Sequence, residues 1–346
     1  MTGRNRTWLV TGGCGFVGSN VAARLIEHGA PVVVFDNLAR VGSEANLAWL
    51  RTLGPFTFVR GDIRDAEAIR AVVADHEPDA VCHLAGQVAM TTSVENPRLD
   101  FETNALGSFN LLEAVRRHAP RAAVVYASSN KSYGDLGWLP LREEALRYSA
   151  PDHPDGVDER APLDFHTPYG CSKGAADQYM LDYARVYGLH TVVFRHSTMY
   201  GGRQFATFDQ GWVGWFCQQA IATRQDPGRP PFTIAGDGKQ VRDLLYVDDA
   251  VDAYLAAARH RDVARGEVFN IGGGMANSSS LLELFAGLEV MAGVTLRYER
   301  LPWRLSDQRF FVADNRKATR LLGWAPRVDK ATGIGRMFRW TEELAG

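Results

Sequence analysis

The sequence predicts an α/β protein built on a doubly wound parallel sheet, with a smaller C-terminal lobe beside it. Three observations carry that expectation. Short apolar runs alternate with helical patterns through the first half of the chain; a glycine-spaced turn follows the first run at once; and beyond residue 200 the alternation loosens into Gly-rich turns. Strands that are apolar along their length and separated by helices belong to a parallel sheet covered on both faces.

In chain order, residues 7–11 read as a strand, 16–28 as a helix and 31–36 as a second strand. Further strands are expected at 56–60, 79–84, 122–127 and 191–195, with helices at 66–75, 101–118 and 175–187. Residues 135–163, rich in Pro, Asp and Glu, break the pattern and read as a long surface excursion, a functional cover or an interaction element. A shorter βα-like unit is expected at 267–288. The division expected is a dinucleotide-binding part over 1–190, including the excursion, and a substrate lobe over 191–346. Some segments of that lobe return to the first sheet.

The 346 residues are enough to bury a large core, and a net charge of -2 removes the excess of cations on which sequence-independent nucleic-acid binding rests. Cys14, Cys82, Cys171 and Cys217 lie far apart, with no C-x-x-C and no histidine at zinc-ligand spacing, so reduced thiols and no metal site are expected. Arg4 and Arg6 precede an apolar run in the manner of a signal peptide, but Gly12, Gly13 and Gly15 cut that run short. No apolar stretch approaches the roughly 20 residues of a membrane span. The cytoplasm is the expected compartment.

VTGGCGFVG (10–18) places Gly12, Gly15 and Gly18 directly after the first strand. Gly12 lets the chain turn, Gly15 lets backbone approach a pyrophosphate, and Gly18 allows close helix–sheet packing. Phe16 and Val17 then open a helix whose free N–H groups favour phosphate. This is a Rossmann-type dinucleotide fingerprint. Asp36, at the end of the second strand, suits the adenosine ribose hydroxyls and repels a 2′-phosphate, which favours NAD over NADP. Asn37 and Arg40 follow it, and Arg40 is the one nearby cation that partly offsets this preference. Asp62 and Ile63 follow the third strand, where an Asp reaches adenine; the alternative for Asp62 is a helix N-cap.

YGCSK sets Tyr169 and Lys173 four residues apart, on one helical face. An ammonium beside a phenol favours phenolate, so Tyr169 is the expected proton acceptor, and Lys173 also suits the nicotinamide ribose. Ser129 ends the strand VVYASS at the carboxyl edge of the sheet, where it is placed to hold a substrate oxygen.

With TGGCGFVG, Asp36, HLAG (83–86), Ser129 and YGCSK in order, the chain resembles the extended short-chain dehydrogenases. The resemblance continues through GDGKQVRDLLYVDDA (236–250) and VADNRKA (312–318) and spans nearly the whole chain. It implies cofactor contacts at Leu84, Ala85, Gly86 and His196, though His196 also suits a purely core position. It implies that Arg242, Arg304 and Asp307 hold the diphosphate and ribose of a nucleotide sugar, against the alternative of a local Arg242–Asp243 pair. Related dehydratases carry Asp-Glu after the catalytic hydroxyl; Asn130 and Lys131 stand there in this chain, which argues against elimination.

Longer strings are similar to the CDP-tyvelose (CDP-paratose) 2-epimerase family: HLAGQVAMTTS (83–93), SSNKSYGDL (128–136), LDFHTPYGCSKGAADQYMLDYAR (163–185) and FRHSTMYGGRQFATFDQGWVGWFCQ (194–218). That family usually has Thr where this chain has Ser129. The resemblance implies an NAD-dependent isomerase that oxidises C2 of a CDP-sugar to a ketone and reduces it from the other face. It also implies sugar or nucleotide contacts at Gln87, Ser129, Asn130, Thr198, Met199, Gln204, Phe205 and Phe232, and a homo-oligomer, dimer or tetramer, joined through helices 101–118 and 175–187. The alternatives are a 2-epimerase of another CDP- or GDP-hexose, a sugar-nucleotide 4-epimerase, and a non-enzymatic dinucleotide-binding protein.

Overall fold

The fold is that of a computed structural model, which describes residues 6–345; Arg4, half of the signal-like arginine pair, lies outside the described residues. Short β-branched runs form the main strands: β1 (Trp8–Thr11), β2 (Val32–Asp36), β3 (Thr57–Arg60), β4 (Ala80–His83) and β5 (Ala123–Ser129). Two short strands, β6 (Arg142–Glu143) and β7 (Tyr148–Ser149), form a hairpin. They are followed by β8 (His190–His196), β9 (Thr198–Tyr200), β10 (Phe232–Ala235), β11 (Val241–Tyr246), β12 (Glu267–Ile271), β13 (Ser278–Ser280), β14 (Tyr298–Leu301) and β15 (Phe310–Phe311).

The main sheet runs β12-β8-β5-β4-β1-β2-β3 and is parallel throughout. Its strand order reverses between β1 and β4. That reversal opens the crevice in which doubly wound sheets bind ligands, outside the carboxyl ends of the strands. Alternate side chains divide between two cores. Val10, Val34, Cys82, Val125 and Phe194 lie in one, together with Val21 and Leu25 of the helix Phe16–Glu27 and Ala250 and Tyr254 of the helix Val247–Arg259. Leu9, Val33, Phe35, Val81, Val124, Tyr126 and Val193 lie in the other, with the helices Ala66–His76, Gly107–His118 and Thr167–Tyr187.

Three expectations need correction. The excursion at 135–163 is no free cover. Leu136, Leu139, Ala150 and Val157 are buried in one cluster with Val241, Phe310 and Phe311, Val157 bridges Ala313, and Arg147 pairs with Glu283 at 3.2 Å. The segment is a strap laid across the smaller sheet β13-β11-β15. The helix expected at 101–118 is interrupted: Pro97–Phe101 is α-helical, Glu102–Leu106 makes a π-helical turn, and Gly107–His118 resumes the α-helix. The helix bearing Tyr169 and Lys173 is continuous from Thr167 to Tyr187 and does not begin afresh at 175, because His166 in extended conformation and Pro168 in the first turn start it early. From the second half of the chain, β12 joins the edge of the main sheet.

Candidate functional site

The turn after β1 is built from backbone. Gly12 has φ 67°, and a Cβ there would lie 2.6 Å from the Ala85 amide nitrogen. A Cβ on Gly18 would fall 2.1 Å from the Gly12 carbonyl oxygen, so the helix packs on the turn only with glycine at this position. Gly15 is the extended N-cap of the helix and offers no capping side chain to the first N–H groups of Phe16 and Val17. Asp36 is buried and accepts the Cys14 N–H at 2.9 Å through one oxygen and the Leu38 N–H at 2.7 Å through the other. Burial pushes its carboxyl up, opposed by these backbone donors. A tight cradle and a carboxylate with lone pairs to spare fit a pyrophosphate and a ribose diol.

Around this turn, Asn37 donates to Asp62 at 3.0 Å, and Asp62 forms an ion pair with Arg64 at 2.8 Å that holds its carboxyl well below the usual range. Asp65, and not Asp62, caps the helix Ala66–His76, which removes the capping alternative for Asp62. Ile63 is buried against Gly107. Arg40 hydrogen-bonds Gln210, and Asp209 is the charge that supports it. The Leu84 N–H donates to the Thr11 carbonyl at 3.0 Å, and Ala85 and Gly86 continue along the edge. A Cβ on Gly86 would lie 3.7 Å from the Lys173 ammonium nitrogen, so this loop and the helix Thr167–Tyr187 approach closely.

Ser129 ends β5 in register with His196 at the end of β8. Tyr169 and Lys173 reach the same edge from the helix Thr167–Tyr187. Lys173 is buried, with its Nζ 4.4 Å from the centroid of the Tyr126 ring. Burial pushes this ammonium down to about 7, against the charges of Asp100 and Asp177. Burial likewise pushes the Tyr169 phenol up to about 12, with a hydrogen bond to Ser129 lowering it and Asp100 raising it. In both groups burial disfavours the charged form, raising the phenol and lowering the ammonium. His196 donates to or accepts from the Tyr254 hydroxyl at 2.7 Å through Nε2, its ring is pushed down to about 3 by burial, and its Nδ1 has no partner.

On the substrate side, Asn130 donates to Gln308 at 2.9 Å, and Arg242 donates to Asp307 at 2.9 Å. Asp243 is not Arg242's partner; it is fully buried, accepts from the Gly274 and Ala313 amides, and is pushed up to about 6. Arg304 is exposed, with its guanidinium 5.7 Å from the Phe208 ring, and it meets Asp307 only through its backbone carbonyl, at 3.2 Å from the Asp307 nitrogen. Gln87 donates to the Ala89 carbonyl, and Gln204 donates to the Met199 carbonyl at 3.2 Å; each leaves a buried Oε1 without a partner. Thr198 accepts from the Trp212 indole at 3.1 Å.

Two aromatic residues of the expected site, Phe205 and Phe232, are half-buried against other side chains. Phe205 packs against Gly42 and edge-on to Trp340, beside the loop after β2. Phe232 is taken up in an aromatic cluster with Phe216, Phe285 and Tyr298, because β10 pairs with β14 and turns that ring into the lobe's own core.

Sequence reasoning missed the groups behind Lys173. Asp100 is fully buried and accepts a hydrogen bond from Ser172, and Asn104, on the π-helical turn, donates to Ser172 at 3.0 Å and to the Gln87 carbonyl at 3.1 Å. The available signal was Asn96-Pro97, an N-cap and first-turn proline that start a helix before residue 101. Asp177 forms a buried ion pair with Arg195 at 2.8 Å and accepts from Ser128 at 2.9 Å, tying the helix Thr167–Tyr187 to β5 and β8. Cys14, Cys82 and Cys217 are buried thiols pushed up to about 12, while Cys171 is exposed. Among the described residues, Asp135, Asp164 and His166 bring three potential metal donors together on exposed or half-exposed positions, and no helix is long and apolar enough to cross a membrane.

Residues 8–272 match the model of the NAD dependent epimerase/dehydratase family. The chain is 53% identical over 336 residues to the CDP-paratose 2-epimerase of Salmonella typhi, covering 97% of this chain and 99% of that protein. Among solved structures it is similar to the Thermotoga maritima UDP-glucose 4-epimerase with UDP-glucose, at 30% identity and a TM-score of 0.82, covering 98% of this chain and 100% of that one. It is also similar to the Bacillus cereus UDP-glucuronic acid 4-epimerase in complex with UDP-glucuronic acid and NAD, at 26% identity and a TM-score of 0.83, covering 98% and 99%. The chain belongs to the NAD dependent epimerase/dehydratase family.

Proposed function

We propose that this protein is an NAD-dependent isomerase that inverts C2 of a CDP-activated deoxyhexose, interconverting CDP-paratose and CDP-tyvelose. The observation that carries this is 53% identity along almost the entire length of a CDP-paratose 2-epimerase. Sugar C2 bears no acidic hydrogen in the glycosyl nucleotide, so inversion needs oxidation to a 2-keto sugar. NAD, when bound, accepts the C2 hydride and returns it to the opposite face. Gly12, Gly15 and Gly18 admit its pyrophosphate, Asp36 takes the adenosine ribose, and Lys173 takes the nicotinamide ribose. Ser129 holds the C2 oxygen while Tyr169 accepts and later returns its proton. A protonated Lys173 is what favours phenolate at Tyr169. Arg242, Arg304 and Asp307 keep the nucleotide fixed while the ketone turns.

Phe109, Tyr179, Val186 and Tyr187 are exposed on the helices Gly107–His118 and Thr167–Tyr187. They supply an apolar face for the two-helix contact of a homo-oligomer. A nucleotide-sugar substrate and NAD support a cytoplasmic location. The test is to incubate purified enzyme with CDP-paratose and no added NAD, following the sugar by proton NMR. Appearance of CDP-tyvelose supports the assignment. Inertness toward CDP-paratose with turnover of a UDP-hexose at C4 overturns it.

A further inference from the structure

The 3-10 turn Asn130–Tyr133 carries a lysine that the chemistry at Ser129 and Tyr169 does not use. The Lys131 N–H donates to Ser129 Oγ at 3.2 Å, so the turn is tied to the catalytic hydroxyl. Its Nζ donates to the Ser306 carbonyl at 3.2 Å and lies 3.6 Å from Asp307 Oδ1, the same oxygen that receives Arg242 at 2.9 Å. The loop at 306–308 is latched to this turn, since Gln308 donates to the carbonyls of Asn130 at 3.1 Å and Gly134 at 2.7 Å.

One carboxylate thus faces two cations, whose side chains are only 14% (Lys131) and 11% (Arg242) exposed, and the charge of Arg304 is also felt at Lys131. Burial pushes the Lys131 ammonium down to about 8; Asp307 opposes this, while Arg242 and Arg304 add to it. Excess positive charge withdrawn from water is costly unless an anion joins it. The reacting C2 of a glycosyl nucleotide is bonded directly to C1, which carries the diphosphate. A residue beside the hydroxyl that holds the C2 oxygen therefore falls beside the phosphates. For reaction at C4, the same neighbour would face the far side of the ring.

We propose that Lys131 is a cationic contact for the substrate's diphosphate and a determinant of reaction at C2, joining the turn that holds the sugar to the cluster that holds the nucleotide. The inference rests on the nucleotide-sugar function above. The test is calorimetric titration of NAD-loaded wild type, Lys131→Gln and Lys131→Arg with CDP, UDP and cytidine at pH 8, in two buffers of different ionisation enthalpy. Wild type is expected to take up protons on binding CDP, because the negative diphosphate restores the Lys131 ammonium. Lys131→Gln is expected to bind CDP and UDP about tenfold more weakly, without proton uptake, and to bind cytidine unchanged. Lys131→Arg, always charged, is expected to keep most of the affinity and lose the uptake.

Undiminished CDP affinity in Lys131→Gln overturns the proposal, as does an equal loss for cytidine. If Lys131→Gln fails to fold, the Lys131→Arg protein decides through its proton uptake: persistence of wild-type uptake overturns the proposal, and its disappearance supports it. A wild-type preference for UDP over CDP instead overturns the CDP assignment while leaving the variant comparison intact.

Discussion

The turn after β1 and the cluster around Asp307 both fit the phosphates of a ligand, yet they are made differently. The turn is local: Gly12 to Gly18 and Asp36 lie within one βαβ unit, and its donors are main-chain N–H groups. The cluster is distant: Lys131, Arg242 and Asp307 come from three separated segments, and its donors are side chains. A backbone site is sensitive to shape, because any Cβ displaces the main chain. A side-chain site is sensitive to charge, because its members balance one another in a partly dry setting.

The largest break in this comparison is Gly18→Ala. Its methyl would meet the Gly12 carbonyl oxygen at 2.1 Å, where only backbone movement gives relief. Absorbance of the purified protein and a thermal melt should show loss of retained NAD and a marked drop in Tm. Retention of both would mean that the turn is softer than its geometry implies.

Tyr169→Phe lies between the two regions and should leave both intact. Turnover is expected to fall by about 10²–10⁴, the usual range for a positioned acid–base group, with NAD content and CDP affinity preserved.

A smaller effect in free energy is expected at Asp307→Asn, which leaves Lys131 and Arg242 facing each other. Breaking a fully buried pair costs about 3–5 kcal/mol, and partial exposure here should bring the loss below that. The melting temperature should fall without ligand and recover in part with CDP, whose phosphates replace the missing negative charge. A melt unchanged from wild type would show that the cluster carries no unmatched charge.

The smallest change is expected at Asp100→Asn. Asp100 raises the proton affinity of Lys173, so its loss should lower that of the ammonium still further below about 7. If charged Lys173 supports the phenolate, the variant's rate relative to wild type should decline as pH rises from 6 to 8, by about 3- to 10-fold. A ratio independent of pH would leave Asp100 a purely structural group.

The same contrast between local and distant explains what could be read in the sequence. Strand periodicity, glycine spacing, Asp36 and the Tyr169/Lys173 pair are encoded within a few residues of one another, and the main sheet follows from them. The strap at 135–163 is held by Leu136, Leu139, Ala150 and Val157 against residues near 241 and 310, so its apolar positions show no local period. Phe205 and Phe232 are aromatic residues in suggestive places, and only the packing of Trp340 and Tyr298 against them decides which way their rings turn. Lys131 was legible as a departure from the dehydratase pattern. Its contact with Asp307 depends on a loop more than 170 residues away. Asp100 was hidden because the short helix that carries it, Pro97–Phe101, lies ahead of the helix expected from residue 101.

The central claim is oxidation at C2 with return of the same hydride from an NAD that stays bound. It is tested most directly with CDP-paratose deuterated at C2, in ordinary water and without added cofactor, following label and configuration together by NMR. The account predicts CDP-tyvelose that retains deuterium at C2. Inversion with washout of the label to solvent would contradict it.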